Sequence, residues 1–307
     1  MTLAVIGLGT NLGSRAGLLR AAIDVLRAHE AIRVEAVAPV RITAPVGPPQ
    51  PAYFNSAVRV ETSLGPAELV DACLAVEQRL GRERRERWGA RTIDLDVLWM
   101  DGVVHDRNEI AVPHRELLHR RFALAPLVDL VPDARDHRDN RFLRDALAAL
   151  GPEQETPFAL GDEYERDEVE HTADEGFLVH AYDRADALAG AAEALANLSI
   201  ETYSVRPVET RAISIAADDP SEPLADDDRA FRWLAEVLYH LDAHRFAVRH
   251  AVVYDDGPAH VRGALVGEPL DEARHAVRGA IKAVTYHGLE AGEIAPGRYR
   301  LQMVVDV

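Results

Sequence analysis

The chain of 307 residues contains one cysteine and no long apolar segment. A single cysteine, Cys73, excludes a disulfide framework. No apolar run approaches the roughly 18 residues that a membrane-spanning helix needs, and the first residues show neither the charged region nor the cleavage site of a signal peptide. We therefore expect a cytoplasmic protein that does not contact membranes.

Positive charge is scarce in the second half of the chain. Residues 1–150 contain 20 Arg against 20 Asp and Glu, whereas residues 151–307 contain 14 Lys and Arg against 31 Asp and Glu. The second half thus carries the whole net charge of −17. A surface this acidic repels phosphate backbones, so we expect no direct binding of nucleic acid. The uneven charge predicts two modules with different partners.

Length and composition together predict two domains joined by an acidic linker. A chain of 307 residues suits two domains of ordinary size, and 48% hydrophobic residues suffice for two cores. Gly151-Pro152 interrupts regular structure, and residues 161–170 are almost entirely polar. We place the first domain at residues 1–152, the linker at residues 153–166 and the second domain at residues 167–307.

In the first domain, apolar residues recur with the periods of strands and helices in alternation, which predicts an α+β sandwich. Pro66 stands at the start of one helical segment, where its fixed φ is tolerated. The predicted strands are residues 3–8, 32–36, 55–62 and 93–100, and the predicted helices are residues 18–28 and 66–80.

The second domain also mixes strands and helices. Three aspartates, Asp226 to Asp228, precede one helical pattern, where acidic side chains favour the positive end of the helix dipole. Two alternating segments predict a hairpin that turns near residues 255–257. The predicted strands are residues 176–181, 211–216, 246–254, 260–266, 282–286 and 299–305, and the predicted helices are residues 185–198 and 226–243.

Two carboxylates, Asp94 and Asp96, follow a dense group of arginines. Because side chains alternate across a strand, both carboxylates point the same way and Leu95 points the other way. Such a pair suits Mg²⁺, which binds through one or two carboxylates and substrate phosphates, and arginines bind phosphate oxygens bidentately. The pattern indicates phosphoryl or pyrophosphoryl transfer, and a solvated basic helix end before an edge strand is the alternative. The arginines are Arg82, Arg84, Arg85, Arg87 and Arg91.

Further motifs accompany this stretch along the first domain. They are residues 7–13, Pro45-Val46-Gly47, residues 50–55, Glu77, Val112-Pro113-His114 and Arg120-Arg121-Phe122. Together with residues 82–96 they resemble hydroxymethyldihydropterin pyrophosphokinase, a folate-pathway enzyme that transfers pyrophosphate from ATP to a pterin alcohol. The resemblance implies a ferredoxin-like αβ sandwich that binds ATP and hydroxymethyldihydropterin.

The resemblance also implies a role for each matching residue. Asp94 and Asp96 bind two Mg²⁺ ions that bridge the ATP phosphates and the attacking hydroxyl. The implied catalytic residues are Arg82, Arg91, Asp94, Asp96, His114 and Arg120. The implied ATP contacts are Glu77, Arg82, Arg84, Trp88, Arg91, Ile93, His114 and Arg120, with Trp88 in a lid over the nucleotide. The implied pterin contacts are Thr43, Pro45, Val46, Tyr53, Asn55 and Phe122, with the pterin stacked between Tyr53 and Phe122.

The two ends of the second domain carry matching motifs as well. Residues 170–177 open it, and residues 281–290 and 304–307 close it. These motifs resemble archease, a family of small α+β proteins that assist a GTP-dependent RNA-splicing ligase by promoting its guanylylation and repeated turnover. The resemblance implies a Ca²⁺ or Mg²⁺ site made by Asp174, Asp306 and a terminal carboxylate on Val307, all hard oxygen ligands.

The preferred interpretation is a bifunctional fusion, in which a pyrophosphokinase is joined to an archease-like module without turnover of its own. One alternative is an RNA-ligase accessory protein whose kinase-like half only binds nucleotide, against which the intact Asp94 and Asp96 pair argues. The other is a folate enzyme with an acidic scaffold domain, against which the matching ends of the second domain argue.

Overall fold

The computed structural model groups the chain into two compact units. The first comprises Met1–Leu12 and Ala22–Leu160, and the second comprises Gly13–Ala21 and Gly161–Val307. The structure describes residues 1–45, 49–82, 90–107, 109–151, 157–160, 165–170 and 175–306, with the backbone alone for residues 165–170.

The first unit is built around one antiparallel sheet. Its strands are β1 (Thr2–Thr10), β2 (Ile32–Val37), β3 (Arg41–Thr43), β4 (Tyr53–Thr62) and β5 (Asp94–Met100), followed by the small hairpin of β6 (His105–Arg107) and β7 (Ile110–Val112). The helices along this part of the chain are α1 (Arg15–Arg27), α2 (Pro66–Arg79), α3 (Arg121–Leu130) and α4 (Leu143–Ala149).

The strand order of the main sheet is β2-β4-β1-β5, and β3 pairs with β4. Read with α1 and α2, this is the β-α-β-β-α-β arrangement of a ferredoxin-like sandwich, and it confirms the predicted fold class. The start of α2 follows its sequence, because Pro66 takes the first helical position and Glu68 accepts a hydrogen bond from the Gly65 N–H at 2.7 Å. All six strands and helices predicted in this domain are present.

Helices α3 and α4 were not predicted, and they pack with a 3-10 turn over one part of the sheet. Leu117, Leu124 and Leu127 form a buried cluster with Trp99 of β5. The Trp99 Nε1–H donates to the Arg135 carbonyl at 2.7 Å, so its polar atom is satisfied inside the cluster. Strands β3, β6 and β7 were also missed.

The second unit contains two sheets and two long helices. Its strands are β8 (Glu165–Glu170), β9 (Glu175–Ala181), β10 (Glu209–Ala216), β11 (Phe246–Gly257), β12 (His260–Pro269), β13 (Ala283–Val284), β14 (Glu290–Ala295) and β15 (Arg298–Asp306), and its helices are α5 (Arg184–Ser199) and α6 (Asp226–Asp242). One sheet has the order β10-β12-β11, and the other has the order β13-β15-β9-β8, with β14 paired to β15.

A single large core joins these elements of the second unit. Small side chains allow α5 to be buried along most of its length, and the Trp233 Nε1–H of α6 donates to the Leu188 carbonyl of α5 at 3.0 Å. The turn between β11 and β12 is held by the buried Arg229, which donates to the carbonyls of Gly257, Pro258 and His260. The α+β class implied for this domain is confirmed.

The structure differs from the sequence prediction around the linker and near the last strands. Phe158, inside the predicted linker, exchanges backbone hydrogen bonds with Val40 at 2.7 and 3.0 Å and packs its ring against Phe54, so it belongs to the first unit. Strand β8 begins at Glu165, two residues before the predicted domain, because it pairs with β9. The strand predicted at residues 282–286 is reduced to Ala283–Val284, and β14 was missed.

The structure also bears on the prediction about membranes. Within the ranges that the structure describes, no helix is long and apolar enough to cross a membrane.

Candidate functional site

The candidate site lies where β5 pairs with β1. Asp94 and Asp96 stand opposite Gly9 and Gly7 in the antiparallel register, and Leu95 between them is buried. Directly opposite residues project from the same face of a sheet, so the two carboxylates face strand positions that carry no side chain. The predicted common face of the two aspartates is confirmed, and neither residue opposite them on β1 has a side chain.

Two arginines contact the Asp94 carboxylate. The Arg82 Nη1 lies 2.7 Å from Asp94 Oδ1, and the Arg91 Nη1 contacts Asp94 Oδ2. The Asp94 side chain keeps 20% of its surface exposed, so the ion pairs form at the edge of the site and not in the core. The structure thus brings together three of the six predicted catalytic residues.

Glu77 of α2 supports this arrangement from inside. Its Oε1 accepts the Leu95 N–H at 2.7 Å and contacts the Arg82 guanidinium, while its side chain is 2% exposed. Burial raises the pKa of Glu77 to about 7, although the hydrogen bond from Leu95 and the charge of Arg82 act in the opposite direction. A residue so covered positions Arg82 and the strand, which differs from the direct ATP contact that the sequence suggested.

The surroundings of Asp96 disfavour its charged form. Its pKa is raised, first by burial and then by the neighbouring Asp94 carboxylate, whereas the charges of His114, Arg91 and Arg120 act to lower it. Two carboxylates that disfavour each other's ionised form are stabilised when a cation lies between them. The same interactions place His114 and Arg120 near the pair.

His114 is fixed at both its backbone and its ring. Its N–H donates to the Leu98 carbonyl at 2.9 Å, and its Nδ1 accepts the Glu116 N–H at 3.2 Å. An Nδ1 that accepts leaves the proton of the neutral ring on Nε2, which can then donate to an oxygen. Arg120 immediately precedes α3, and its guanidinium carbon lies 5.9 Å from the centre of the Phe122 ring.

Four of the residues assigned to the pterin lie on β3, β4 and α3, namely Thr43, Tyr53, Asn55 and Phe122. Asn55 is buried, and its Nδ2 donates to the Thr43 Oγ1 at 2.7 Å. Burial raises the pKa of Tyr53, and the charges of Arg91 and Arg82 act to lower it. Pro45 is half-buried. Phe122 is also half-buried and packs against the cluster under α3, so stacking between Tyr53 and Phe122 remains a prediction.

The other predicted site residues are either buried or outside the described ranges. Ile93 is fully buried, so in this structure it is not accessible to a nucleotide. The predicted contacts Val46, Arg84, Trp88, Asp174 and Val307 lie outside the described residues.

The predicted cation site of the second unit is therefore described only at Asp306. Its exposed carboxylate lies 4.0 Å from the Lys282 Nζ, and its carbonyl accepts the Lys282 N–H at 2.8 Å. Among the residues that the structure describes, no group of three or more His, Cys, Asp or Glu is placed to hold a metal ion.

Asn11 is a site residue that the sequence analysis missed. Its buried side chain accepts the Arg91 N–H at 2.8 Å and donates to the Gln50 Oε1 and the Pro51 carbonyl, both at 3.1 Å. One amide thus connects the end of β1, the segment before β4 and the backbone of Arg91. The signal available in the sequence was an asparagine between the glycines of residues 7–13, but nothing there identifies partners 39 to 80 residues away.

Two family models match the chain, one over each unit. Residues 5–132 match the model described as 7,8-dihydro-6-hydroxymethylpterin-pyrophosphokinase (HPPK). Residues 167–307 match the model of the Archease protein family. The order and extent of the two matches agree with the resemblances found in the sequence.

Individual proteins are similar to the first half. The 2-amino-4-hydroxy-6-hydroxymethyldihydropteridine pyrophosphokinase of Methylorubrum extorquens is 40% identical over 153 residues, which cover 50% of this chain and 96% of the relative. The protein of the same name from Bacillus subtilis is 41% identical over 129 residues, which cover 42% of this chain and 77% of the relative.

Two solved structures also align with parts of the chain. The solution structure of Methanobacterium thermoautotrophicum protein 1598 is 24% identical and covers 46% of this chain and 98% of its own, with a TM-score of 0.38. A crystal structure of Plasmodium falciparum HPPK-DHPS is 13% identical and covers 48% of this chain and 43% of its own, with a TM-score of 0.37. The family assignment rests on the sequence matches.

Proposed function

Because the chain belongs to the hydroxymethyldihydropterin pyrophosphokinase family and carries an archease domain at residues 167–307, we propose that it is a bifunctional protein. The first unit transfers pyrophosphate from ATP to the hydroxymethyl group of 6-hydroxymethyl-7,8-dihydropterin, with release of AMP, in folate synthesis. The reaction depends on Mg²⁺. The second unit assists a GTP-dependent RNA-splicing ligase. Both act in the cytoplasm.

The observation that carries the first part is the carboxylate pair on β5 with its arginines. Asp94 and Asp96 project from one face, opposite glycines, and the pKa of Asp96 is raised by burial and by Asp94. Hard carboxylate oxygens in such a pair fit Mg²⁺, and these two residues would hold the two ions that accompany ATP. Bound there, the ions would neutralise the charge on the phosphate oxygens.

The remaining side chains provide phosphate and pterin contacts. Arg82 and Arg91 offer planar guanidinium groups to the phosphates, and Arg120 adds a third positive charge. His114 donates through its Nε2–H, because its Nδ1 is engaged by the backbone. Phosphoryl transfer needs mainly positioning and charge stabilisation, and these residues supply both from the segments that flank α2, β5, β7 and α3.

The pterin contacts follow from polar and aromatic groups at the ends of β3 and β4. Asn55 and Thr43 are joined by a hydrogen bond, so their remaining polar atoms are held in fixed directions for the amide-like edge of the ring. The charges of Arg91 and Arg82 act on the Tyr53 phenol, so a pterin stacked on Tyr53 would hold its hydroxymethyl group on the side of the site that carries the arginines.

The test of the first part is AMP release by the full chain with ATP, Mg²⁺ and hydroxymethyldihydropterin. Asp96→Asn should reduce pterin-dependent AMP formation by at least about 10³-fold, because charge stabilisation dominates this chemistry. Asp101→Asn is the matched control, since Asp101 is an exposed carboxylate just beyond the other end of β5. Equal activity of the two variants would contradict the assignment.

Support for the second part is the family match and the acidic surface, with Asp306 as the described member of the proposed cation site. The test measures guanylylation and RNA-joining turnover of a purified GTP-dependent RNA ligase, with and without the full chain. Asp306→Ala should lose the stimulation, and Glu293→Ala, an exposed acid on β14, should retain it. No stimulation by the unmodified chain would favour the acidic scaffold alternative.

A further inference from the structure

Both oxygens of the Asp94 carboxylate are engaged by arginine in this structure. Arg82 lies 2.7 Å from Oδ1, and Arg91 contacts Oδ2. A carboxylate that accepts an arginine on each oxygen keeps fewer lone pairs for a cation, and two positive charges beside it repel a divalent ion. The residue that should receive the metal is therefore already neutralised within the protein.

The other residues of the site do not replace Asp94 as a ligand for the cation. Asp96 offers one further carboxylate, and over the described ranges no group of three or more His, Cys, Asp or Glu is placed to hold a metal ion. Mg²⁺ requires near-octahedral oxygen coordination, and in such sites the phosphates of the substrate supply part of it. The protein alone thus presents a poor cation site, although its residue types suit the ion.

We propose that Arg82 and Arg91 form a clamp that keeps Asp94 from binding a divalent cation until a triphosphate draws the arginines away. The inference rests on the proposed function, because it takes ATP as the anion that competes with Asp94. Nucleotide and cation would then bind cooperatively, each raising the affinity for the other by the same factor. Without nucleotide, the clamp lowers the affinity of the site for a divalent cation.

The two arginines are restrained in different ways, which makes the exchange possible. Arg82 is held on its other side by the buried Glu77, so its guanidinium stays near the site when Asp94 is released. Arg91 is held by its backbone, through Asn11, while its side chain is 35% exposed and can turn. Guanidinium groups bind phosphate as well as carboxylate in bidentate pairs, so the clamp loses no partner when it opens.

The first arm of the test measures Mn²⁺ binding to the nucleotide-free full chain by the electron paramagnetic resonance signal of the free ion. Binding that persists in Asp94→Asn defines sites elsewhere in the chain and is subtracted. Arg91→Gln should raise the remaining Mn²⁺ affinity by about tenfold, equivalent to about 1.4 kcal/mol. Arg91→Lys keeps the charge, and Arg33→Gln removes an exposed arginine of β2, so both should stay within about twofold of the unmodified chain.

The second arm measures binding of α,β-methylene-ATP in the presence of a chelator. Asp94→Asn frees both arginines and should raise the affinity for the nucleotide in the absence of metal. Asp96→Asn removes a carboxylate from the same face without releasing the arginines, so its increase in affinity should be smaller by at least about fivefold. Equal gains in the two variants would indicate simple charge repulsion and would overturn the clamp. An unchanged Mn²⁺ affinity in Arg91→Gln would overturn it as well.

The test of the clamp can fail or succeed independently of the test of pyrophosphokinase activity. Pterin-dependent AMP release with no effect of Arg91→Gln on Mn²⁺ binding leaves the enzyme in place and removes the clamp. Coupled nucleotide and cation binding without AMP release retains the clamp and supports a kinase-like half that only binds nucleotide.

Discussion

Replacing Asn11 by alanine should impair both the stability and the catalysis of the first unit. The buried amide makes three hydrogen bonds, to the Arg91 N–H, the Gln50 side chain and the Pro51 carbonyl. Each such bond contributes about 1 kcal/mol net, so we expect a loss of roughly 3 kcal/mol in the free energy of unfolding. For a unit of this size, that corresponds to a fall in Tm of about 6–12 °C.

The catalytic effect follows from the position of Arg91. Without the Asn11 acceptor, the Arg91 N–H loses its side-chain partner, and a displacement of about 1 Å in a phosphate-binding group reduces turnover by about 10²-fold. The assay is kcat/KM for pterin-dependent AMP release, measured well below the Tm of the variant so that unfolding does not contribute. We expect the loss mainly in kcat, because the proposed role of Arg91 is to contact the transferred group.

Gln50→Leu separates the two functions of Asn11. It removes one of the three hydrogen bonds and leaves the bond to the Arg91 N–H in place, so it should cost about 1 kcal/mol of stability with a much smaller loss of kcat. The reasoning is refuted if Asn11→Ala unfolds more easily but retains kcat/KM within about twofold of the unmodified chain.

Two further predictions concern the pH dependence of stability, and a third concerns the packing of a methyl group added at Gly9. The pKa of Glu77 is raised to about 7, so its protonated form favours the folded state, and stability should fall as the pH rises from about 4.5 to 7; Glu77→Gln should remove this slope in unfolding measured across that range. Burial acts to raise the pKa of Glu268, but hydrogen bonds from Arg274, Arg206 and His275 outweigh it and lower this pKa to about 2. The ionised carboxylate therefore contributes on the order of 3 kcal/mol to the free energy of unfolding above pH 4.5, and this stabilisation is lost toward pH 2. Glu268→Gln should lose the same stabilisation at pH 7. Gly9→Ala places a methyl group 3.0 Å from the Asn55 Oδ1 and should raise the KM for pterin several-fold while that for ATP changes little.

Two of these predictions have a matched control, and the third has a result that would contradict it. Glu222→Gln, at an exposed acid, should leave the acid unfolding curve unchanged, and a similar loss there would point to net charge instead of the Glu268 hydrogen bonds. Gly292→Ala adds a methyl group with nothing within 4 Å and should leave the KM for pterin unaltered. An unchanged pH slope in Glu77→Gln would mean that another group titrates.

The carboxylate pair and the main sheet were predictable because they depend on local periodicity. The alternation of side chains along a strand sets Asp94 and Asp96 on one face, and the pairing with Gly9 and Gly7 confirms it. Helix α3 was missed because Pro126 lies inside it, and a proline within a helical pattern normally predicts the end of a helix.

Strand β8 and the role of Asn11 could not be predicted for a different reason. The sequence Glu-Arg-Asp-Glu-Val-Glu of β8 has the composition of a linker, and it is a strand because β9 offers a free edge to pair with. The partners of Asn11 lie on other segments of the fold, which no local pattern encodes. For β8 the decisive interaction is the pairing with β9, and for Asn11 it is the set of hydrogen bonds to residues 39 to 80 positions away.

Arg82 and Arg91 are supported in different ways, and under the proposed clamp this difference allows one site to be both ordered and able to change partners. Glu77 holds the Arg82 guanidinium from a buried helix face, whereas Asn11 holds only the backbone of Arg91. Because the guanidinium of Arg82 is held, its position is preserved when Asp94 is released. Because Arg91 is held at its backbone, its side chain can change rotamer when it leaves Asp94. The order of the site therefore resides in Glu77 and Asn11, and its capacity for exchange resides in the Arg91 side chain.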